Sequence, residues 1–230
     1  MTDQEIFELV KDELQWFVDN LSTLTFRHFM CGDPTVEDVA WRIRANAFSE
    51  EKTVSEAEAE FSEQISNFSL TELNEKTSEE FLNTRKITNF TYYSTGTKGF
   101  PWGKAINIKK PVGTDAYTSI VEKIKNNLGL DWNPCCFRYF PVNGYIGWHA
   151  INNTHMADRL YFTYAFEDNK SFCKYFTEGG NITTHNETQG WNTIRYEVTD
   201  TDLWKAMGAE CKKFTVGFSK RRPDHPNRFE

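Results

Sequence analysis

The stretch 137–149 joins an apolar and aromatic run to a glycine-bearing turn and ends on a single histidine, His149. An imidazole is a ligand that many divalent metal ions accept. Further along, Lys213 and Thr215 are two residues apart in a segment that reads as a strand, so their side chains fall on one face. Together they can offer an ammonium and a hydroxyl group to one carboxylate. Taken alone, they are better interpreted as a solvated charge and an ordinary strand residue.

Other polar side chains give weaker evidence of a functional site. His155, Asp158 and His185 stand at irregular spacing. His28 lies in an apolar run, where a lone histidine is more often a core residue than a ligand. The sequence contains no Ser-His-Asp order, phosphate-binding loop or glycine fingerprint that indicates another enzyme class.

The five cysteines follow no metal or disulfide spacing. Only Cys135 and Cys136 are adjacent. Neighbouring side chains in a strand point to opposite faces, so we expect these two thiols not to chelate together. The sequence predicts reduced core thiols in a reducing compartment.

Composition narrows the class of protein. The 230 residues are 39% hydrophobic and 15% aromatic, which is typical of a globular chain and not of a disordered one. The net charge of −7 argues against coating of nucleic acid, which needs a basic surface. The acidic start lacks a signal-peptide pattern, and no run approaches the ~18 apolar residues of a membrane helix. We therefore expect a soluble protein with no membrane or nucleic-acid partner.

The N-terminal region is predicted to be mostly helical, over residues 1–90. Thr2 and Glu5 have capping-box spacing, and a helical apolar stripe follows as far as Leu21. A short strand at 25–30 and a second helix from Asp33 to about Phe48 come next.

An acidic insertion occupies about 49–80, where only Lys52 and Lys76 are basic. A thin helical stripe favours a solvated helical insertion, with an acidic docking arm as the alternative.

Short strands dominate the domain predicted at 91–220. One strand precedes it at 87–93, and a helix opens at Asp115 and ends at Gly129. Further strands are predicted at four segments of β-branched and aromatic residues: 159–166, 171–176, 190–198 and 212–218. This spacing is typical of a sandwich or barrel. The basic tail, 221–230, is expected to be an exposed arm.

The order of helices, a strand ending in Gly147-Trp148-His149, short strands and a final Lys-x-Thr resembles the iron- and 2-oxoglutarate-dependent oxygenases. The match is closest to the prolyl-hydroxylase-like branch found in tailed phages of marine bacteria, and it covers 92–220. The resemblance implies an α+β fold with a mainly β core. That core is a double-stranded β-helix, also called jelly-roll or cupin-like, with the N-terminal helices packed outside.

In that family a His-x-Asp pattern and a second, later histidine hold the iron. His149 matches the first ligand, whereas Ile151 stands where the carboxylate belongs and has no ligand atom. Lys205 stands where the second imidazole belongs, and an ammonium repels a cation. The weak replacement ligands within reach are Asn152, Asn153 and His185.

The family grips the cosubstrate's far carboxylate with a basic residue on the last strand and a hydroxyl two residues on. Lys213 and Thr215 match these positions, and Tyr139 matches a phenol that helps to bind the acid. Phe137 replaces the polar partner expected two residues before that phenol.

Three functions follow as expectations. The first is a catalytically degenerate scaffold without cofactors, a phage virion component or assembly factor in the host cytoplasm or virion. Its partners would be proteins, among them phage structural proteins, contacted through the N-terminal helices, the acidic insertion or the basic tail. The second is an active Fe(II)- and 2-oxoglutarate-dependent dioxygenase with an atypical ligand set. The third is a sensor that binds a dicarboxylate at Lys213.

Overall fold

The structure is a computed structural model. It describes the following residues: 1–32, 52–87, 91–92, 97–98, 103–151, 156–177, 180–197 and 203–221. Within these ranges, no helix combines the length and the apolar character that a membrane crossing requires.

The first helix, α1 (Asp3–Asp19), begins with the predicted capping box: the Thr2 hydroxyl accepts from the Glu5 amide, and the Glu5 carboxylate accepts from the Thr2 amide. Its buried stripe consists of Ile6, Val10, Leu14 and Phe17. The stripe packs against the barrel and against α6 (Asp115–Leu128), which Thr114 caps and Gly129 ends at a φ of 124°.

The acidic segment is helical, as the apolar stripe predicts. Four helices follow one another here: α2 (Val54–Glu60), α3 (Ser62–Ser66), α4 (Leu70–Lys76) and α5 (Glu79–Ile87). Thr53 and Ser69 cap α2 and α4, because each hydroxyl accepts from the backbone amide three residues on.

Eight consecutive strands form the barrel. They are β5 (Trp132–Phe140), β6 (Gly144–Ile151), β7 (Met156–Ala165), β8 (Ser171–Thr177), β9 (Thr183–Glu187), β10 (Gly190–Glu197), β11 (Leu203–Ala209) and β12 (Lys213–Arg221). One half of the barrel has the order β10-β7-β12-β5, and the other has the order β6-β11-β8-β9. Successive strands thus alternate between the halves, apart from β8 and β9, which form a hairpin. This is the strand order of a double-stranded β-helix and confirms the predicted jelly-roll fold.

Four strands outside the barrel extend the sheet: β1 (Phe26–Gly32), β2 (Thr91–Tyr92), β3 (Thr97–Lys98) and β4 (Gly103–Ile108). Strand β4 joins the two halves, because it pairs with β5 at Tyr139 and with β6 at Ile146. Strand β1 pairs antiparallel with β4, so the N-terminal region shares a sheet with the barrel.

Buried side chains lie on both the outer and the inner face of the barrel. On the outer face, Phe214 and Val216 pack with α1 and α6. On the inner face, Phe140, Tyr161 and Met207 belong to a second cluster that fills the barrel. The side chains that carry chemistry lie on this inner face.

Cys135 and Cys136 depart from the prediction that they point to opposite faces. Both pack against the inner cluster. The register between β12 and β5 shifts here, since Gly217 pairs with Cys136 while Phe218 pairs with Pro134. Such an irregularity breaks the two-residue alternation, and both thiols face the interior.

The predicted helix at 33–48 and the tail beyond 221 lie outside the described residues, as do 88–90 and 93 of the strand predicted at 87–93. Of that strand, Ile87 ends α5 and Thr91–Tyr92 form β2. The other predicted strands are present, and β3, β4, β9 and β11 were not predicted from the sequence.

Candidate functional site

Lys213 on β12 is completely buried and forms an ion pair with Glu187 on β9, whose exposed fraction is 1%. The Lys213 ammonium lies 2.8 Å from each Glu187 carboxylate oxygen and also donates to the Phe172 carbonyl at 3.1 Å. A buried charge is costly unless it is paired and hydrogen-bonded, and both conditions are met here.

Two further hydroxyl groups complete the surroundings of Glu187. Thr163 on β7 donates to one carboxylate oxygen at 2.8 Å, and Ser171 on β8 donates to the other. Thr215 shares the face of Lys213, as its spacing predicts, but its buried hydroxyl has no hydrogen-bond partner among the described residues. The carboxylate that Lys213 binds therefore belongs to the protein, and Thr215 does not take part.

The second polar cluster surrounds His149 on β6. Lys205 on β11 is its direct cross-strand partner, so the two side chains lie on the same face as neighbours. The ring is held by a hydrogen bond of 2.9 Å between Nδ1 and the Gly147 carbonyl. Since a carbonyl can only accept, Nδ1 carries the proton in this contact.

Lys205 is buried and donates to the Tyr161 hydroxyl. Burial, assisted by the positive charge of Arg159, lowers the pKa of Lys205 to about 8, while the thiols of Cys135 and Cys136 oppose the shift. The ammonium is thus held in the barrel interior, against Tyr161, at a cost in desolvation.

The donors described around His149 do not match the ligand set of an iron site. A non-haem iron site needs imidazole and carboxylate ligands around open positions. His149 has a lysine beside it, and position 151 is an isoleucine at the end of β6. In the part of the chain that the structure describes, no three histidine, cysteine, aspartate or glutamate side chains are grouped to hold a metal ion.

The remaining candidate ligands lie elsewhere or outside the described ranges. His185 is on β9, which two strands separate from β6, and its ring stacks on Tyr175 at a centroid distance of 5.5 Å. Asp158 lies 4.0 Å from the Lys220 ammonium. Three of the candidates are not among the described residues: Asn152, Asn153 and His155.

Tyr139 is not brought together with Lys213. It pairs across the sheet with Phe214 and shares the outer face, whereas Lys213 faces inward. Its hydroxyl donates to Glu58 of α2 at 2.7 Å. Burial, followed by this bond to a carboxylate, raises the pKa of Tyr139. Tyr139 thus ties the acidic segment to the barrel.

The sequence did not point to Glu187, although its carboxylate accepts all the hydrogen bonds that join Lys213, Thr163 and Ser171. Strand β9 has no apolar alternation, and four of its five residues are exposed. The available signal was indirect: a lysine at an inward position of the last strand must find a counter-charge.

No protein-family model matches the sequence, and no curated protein matches it. Among solved structures, a prolyl-4-hydroxylase from Pseudomonas putida is 12% identical with a TM-score of 0.40, over 67% of this chain and 89% of that one. A cupin-like protein from Thermotoga maritima is 12% identical with a TM-score of 0.29, over 56% and 75% of the two chains. The fold assignment rests on the strand order and register described above.

Proposed function

We propose that this protein is a catalytically silent relative of the iron- and 2-oxoglutarate-dependent oxygenases that serves as a scaffold for protein contacts. The observation that carries the proposal is the contact between Glu187 and Lys213. In the family that the sequence resembles, the equivalent lysine binds the cosubstrate's far carboxylate. Here a carboxylate of the chain itself takes its hydrogen bonds, with two hydroxyl groups holding it in place. An external acid would have to displace a fully buried, fully bonded group.

The surroundings of His149 support the same conclusion. Lys205 is its cross-strand neighbour and bonds to Tyr161, which draws the ammonium into the inner cluster. A divalent cation entering here would meet a positive charge in a low dielectric, where repulsion is strong. The cluster is a metal-free polar element of the barrel.

The acidic helices supply the contact surface in this proposal. Glu72 anchors them by accepting from the Tyr145 hydroxyl at 2.7 Å and by pairing with Lys104. The Trp148 indole donates to the Ser78 carbonyl at 2.8 Å and holds α5 against the barrel. The acidic side chains that take no part in anchoring are exposed: Glu56, Glu60, Glu63, Glu75, Glu79 and Glu80.

An acidic surface of this kind fits a partner protein with exposed lysine and arginine side chains. The expectation of a phage structural partner rests on the sequence resemblance alone.

Metal retention tests the proposal. The protein is loaded with Fe(II) without oxygen, desalted and assayed for iron, and then for succinate formation from 2-oxoglutarate with ascorbate. We expect far less than one iron per chain and no succinate above the buffer control. One tightly held iron per chain, or succinate formation, would contradict the proposal.

A matched control is the double variant Ile151→Asp with Lys205→His, which restores the ligand types of the family around His149. It should retain more iron than the wild-type protein under the same desalting, because it exchanges an inert side chain and a repelling one for two ligands.

A further inference from the structure

A small cavity lies outside the barrel, where the end of α1 and the start of α2 meet the barrel wall. Its volume is about 210 Å³. The apolar part of its lining consists of Val18, Leu21, Val54 and Phe166, which belong to the outer core or pack against it. A cavity of roughly 150 Å³ can accept benzene. This cavity therefore has room for an unbranched chain of about five carbon atoms.

The polar part of the lining is mainly acidic. Asp19 is the last residue of α1, and Glu58 lies on α2. Tyr139 and Lys212 both donate to Oε1 of Glu58, at 2.7 and 3.3 Å, and no residue among those described donates to its Oε2. The last turn of α1 contains no basic side chain, so the negative end of the helix dipole is not balanced within the helix. The lining therefore favours a cation.

Lys212 already brings one ammonium group to this cavity. It precedes β12, and its side chain is half exposed. The ammonium lies 5.8 Å from the centre of the Tyr139 ring, within the range of a cation–π contact, in addition to its bond with Glu58. An ion pair this exposed contributes little to stability. A second ammonium group can therefore compete with Lys212 for Glu58.

We propose that this cavity binds a primary ammonium group carried on an unbranched apolar stem. The ammonium donates to Oε2 of Glu58 and to the Asp19 carboxylate, and the Tyr139 ring adds its attraction for a cation. The stem packs between Val54 and Phe166. A free alkylamine and a lysine side chain of a partner protein both present this chemistry. The second source, though not the cavity itself, rests on the scaffold role proposed above.

Titration of the full-length, isotopically labelled protein with pentylammonium chloride tests the proposal, and NMR follows the backbone amides. Pentanol, which has the stem without the charge, and ammonium chloride, which has the charge without the stem, are the controls. We expect saturable shifts at the amides of Leu21, Val54 and Phe166, and binding of each control that is weaker by at least about tenfold. No saturable shift at these amides, or equal binding of pentanol, would overturn the proposal.

Two glutamates of α2 provide a matched pair of variants. Glu58→Gln removes the charge but keeps an oxygen that accepts from Tyr139, and it should weaken pentylammonium binding by about tenfold. Glu60→Gln makes the same change at a residue that pairs with Lys52 and does not line the cavity. It should change the affinity by less than about twofold. Equal effects of the two substitutions would indicate attraction to the acidic surface as a whole and would overturn the proposal.

Lys212→Met should have the opposite effect. It should tighten pentylammonium binding by up to about fivefold, because the competing ammonium is removed. Lys11→Met is the control, since it removes an equal charge from α1 where Lys11 pairs with Glu8, about two turns before the helix ends. It should leave the affinity unchanged. Unchanged or weaker binding by the Lys212→Met variant would contradict the proposal.

The two sources of the ammonium group are distinguished by Nα-acetyl-lysine N-methylamide, which presents the lysine stem between peptide groups. We expect it to bind at least as tightly as pentylammonium, which would identify a lysine of a partner protein as the occupant. Weaker binding would identify a free alkylamine. Iron retention does not involve this cavity, so this proposal and the proposed function can fail independently of each other.

Discussion

The carboxylate of Glu187 and the ammonium of Lys213 meet across the interior of the barrel, from strands that belong to opposite halves. The contact is 2.8 Å long and hidden from solvent. It therefore connects the two halves of the barrel through one buried ion pair.

Replacing either of the two threonines near this ion pair by valine should have a different effect on the free energy of unfolding. Thr163 and Thr215 are cross-strand partners, both buried, but only Thr163 donates to Glu187. Thr163→Val should lower the free energy of unfolding by about 1–3 kcal/mol, because a carboxylate loses a donor. Thr215→Val should leave it unchanged or raise it by up to about 1 kcal/mol, because an unbonded hydroxyl is removed.

Urea unfolding of the two variants side by side measures this difference. Each serves as the control for the other, since the change in shape is identical. Equal losses of stability would show that the Glu187 network does not distinguish the two hydroxyl groups.

Because of Lys205, the free energy of unfolding should depend on pH in the alkaline range. Its pKa is about 8 in the folded protein, against 10.5 for an exposed lysine. Between these values the unfolded chain binds more protons, so the free energy of unfolding rises with pH. The full rise is at most about 3 kcal/mol and is absent below pH 8.

Lys205→Met removes this charge from the interior and is the test. The variant should be more stable than the wild-type protein at pH 7, and its advantage should shrink as the pH approaches 10.5. Thermal or urea unfolding at pH 7 and pH 9.5 gives the comparison. A constant difference between the two proteins at both values would refute the assigned burial cost.

Any side chain at position 217 should destabilise the folded protein. A Cβ atom there would meet the Cys136 sulfur at 2.6 Å and the Tyr161 ring at 2.8 Å. Gly217→Ala should therefore cost about 1–3 kcal/mol of unfolding free energy through overpacking.

A double-mutant cycle separates the two contacts. Cys136→Ala in the Gly217→Ala background removes the sulfur and should recover part of the loss, which appears as a favourable coupling energy. Strict additivity of the two changes would mean that the thiol does not lie against Gly217.

The helices and most of the strands were predictable because their signals are local, whereas the double-stranded β-helix was an expectation drawn from the family resemblance. The capping box of Thr2 and Glu5, the apolar stripe of α1 and the strands of alternating β-branched residues are each visible in a short window. Lys205 at the position opposite His149 was also expected, because it follows from a motif alignment along the sequence.

The occupied carboxylate position was not predictable in the same way. Glu187 lies 26 residues from Lys213 along the chain and meets it only when the barrel closes. The inward turn of Cys135 depends on a register shift between β5 and β12, and no pattern in the sequence encodes that shift. Tyr139 matched a family position by sequence, yet its parity along β5 places it on the outer face with Phe214.

The Glu187→Ala variant tests the central claim most directly, through calorimetric titration with 2-oxoglutarate in the presence of Mn(II). The wild-type protein should give no binding heat, because the Glu187 carboxylate already takes the hydrogen bonds of the Lys213 ammonium. The variant should be less stable by about 3–5 kcal/mol, owing to the unpaired ammonium, and should bind the acid. The double variant Glu187→Met with Lys213→Met removes both charges and should bind nothing. Saturable binding of one 2-oxoglutarate per wild-type chain would contradict the claim that this protein has closed its cosubstrate position with its own carboxylate.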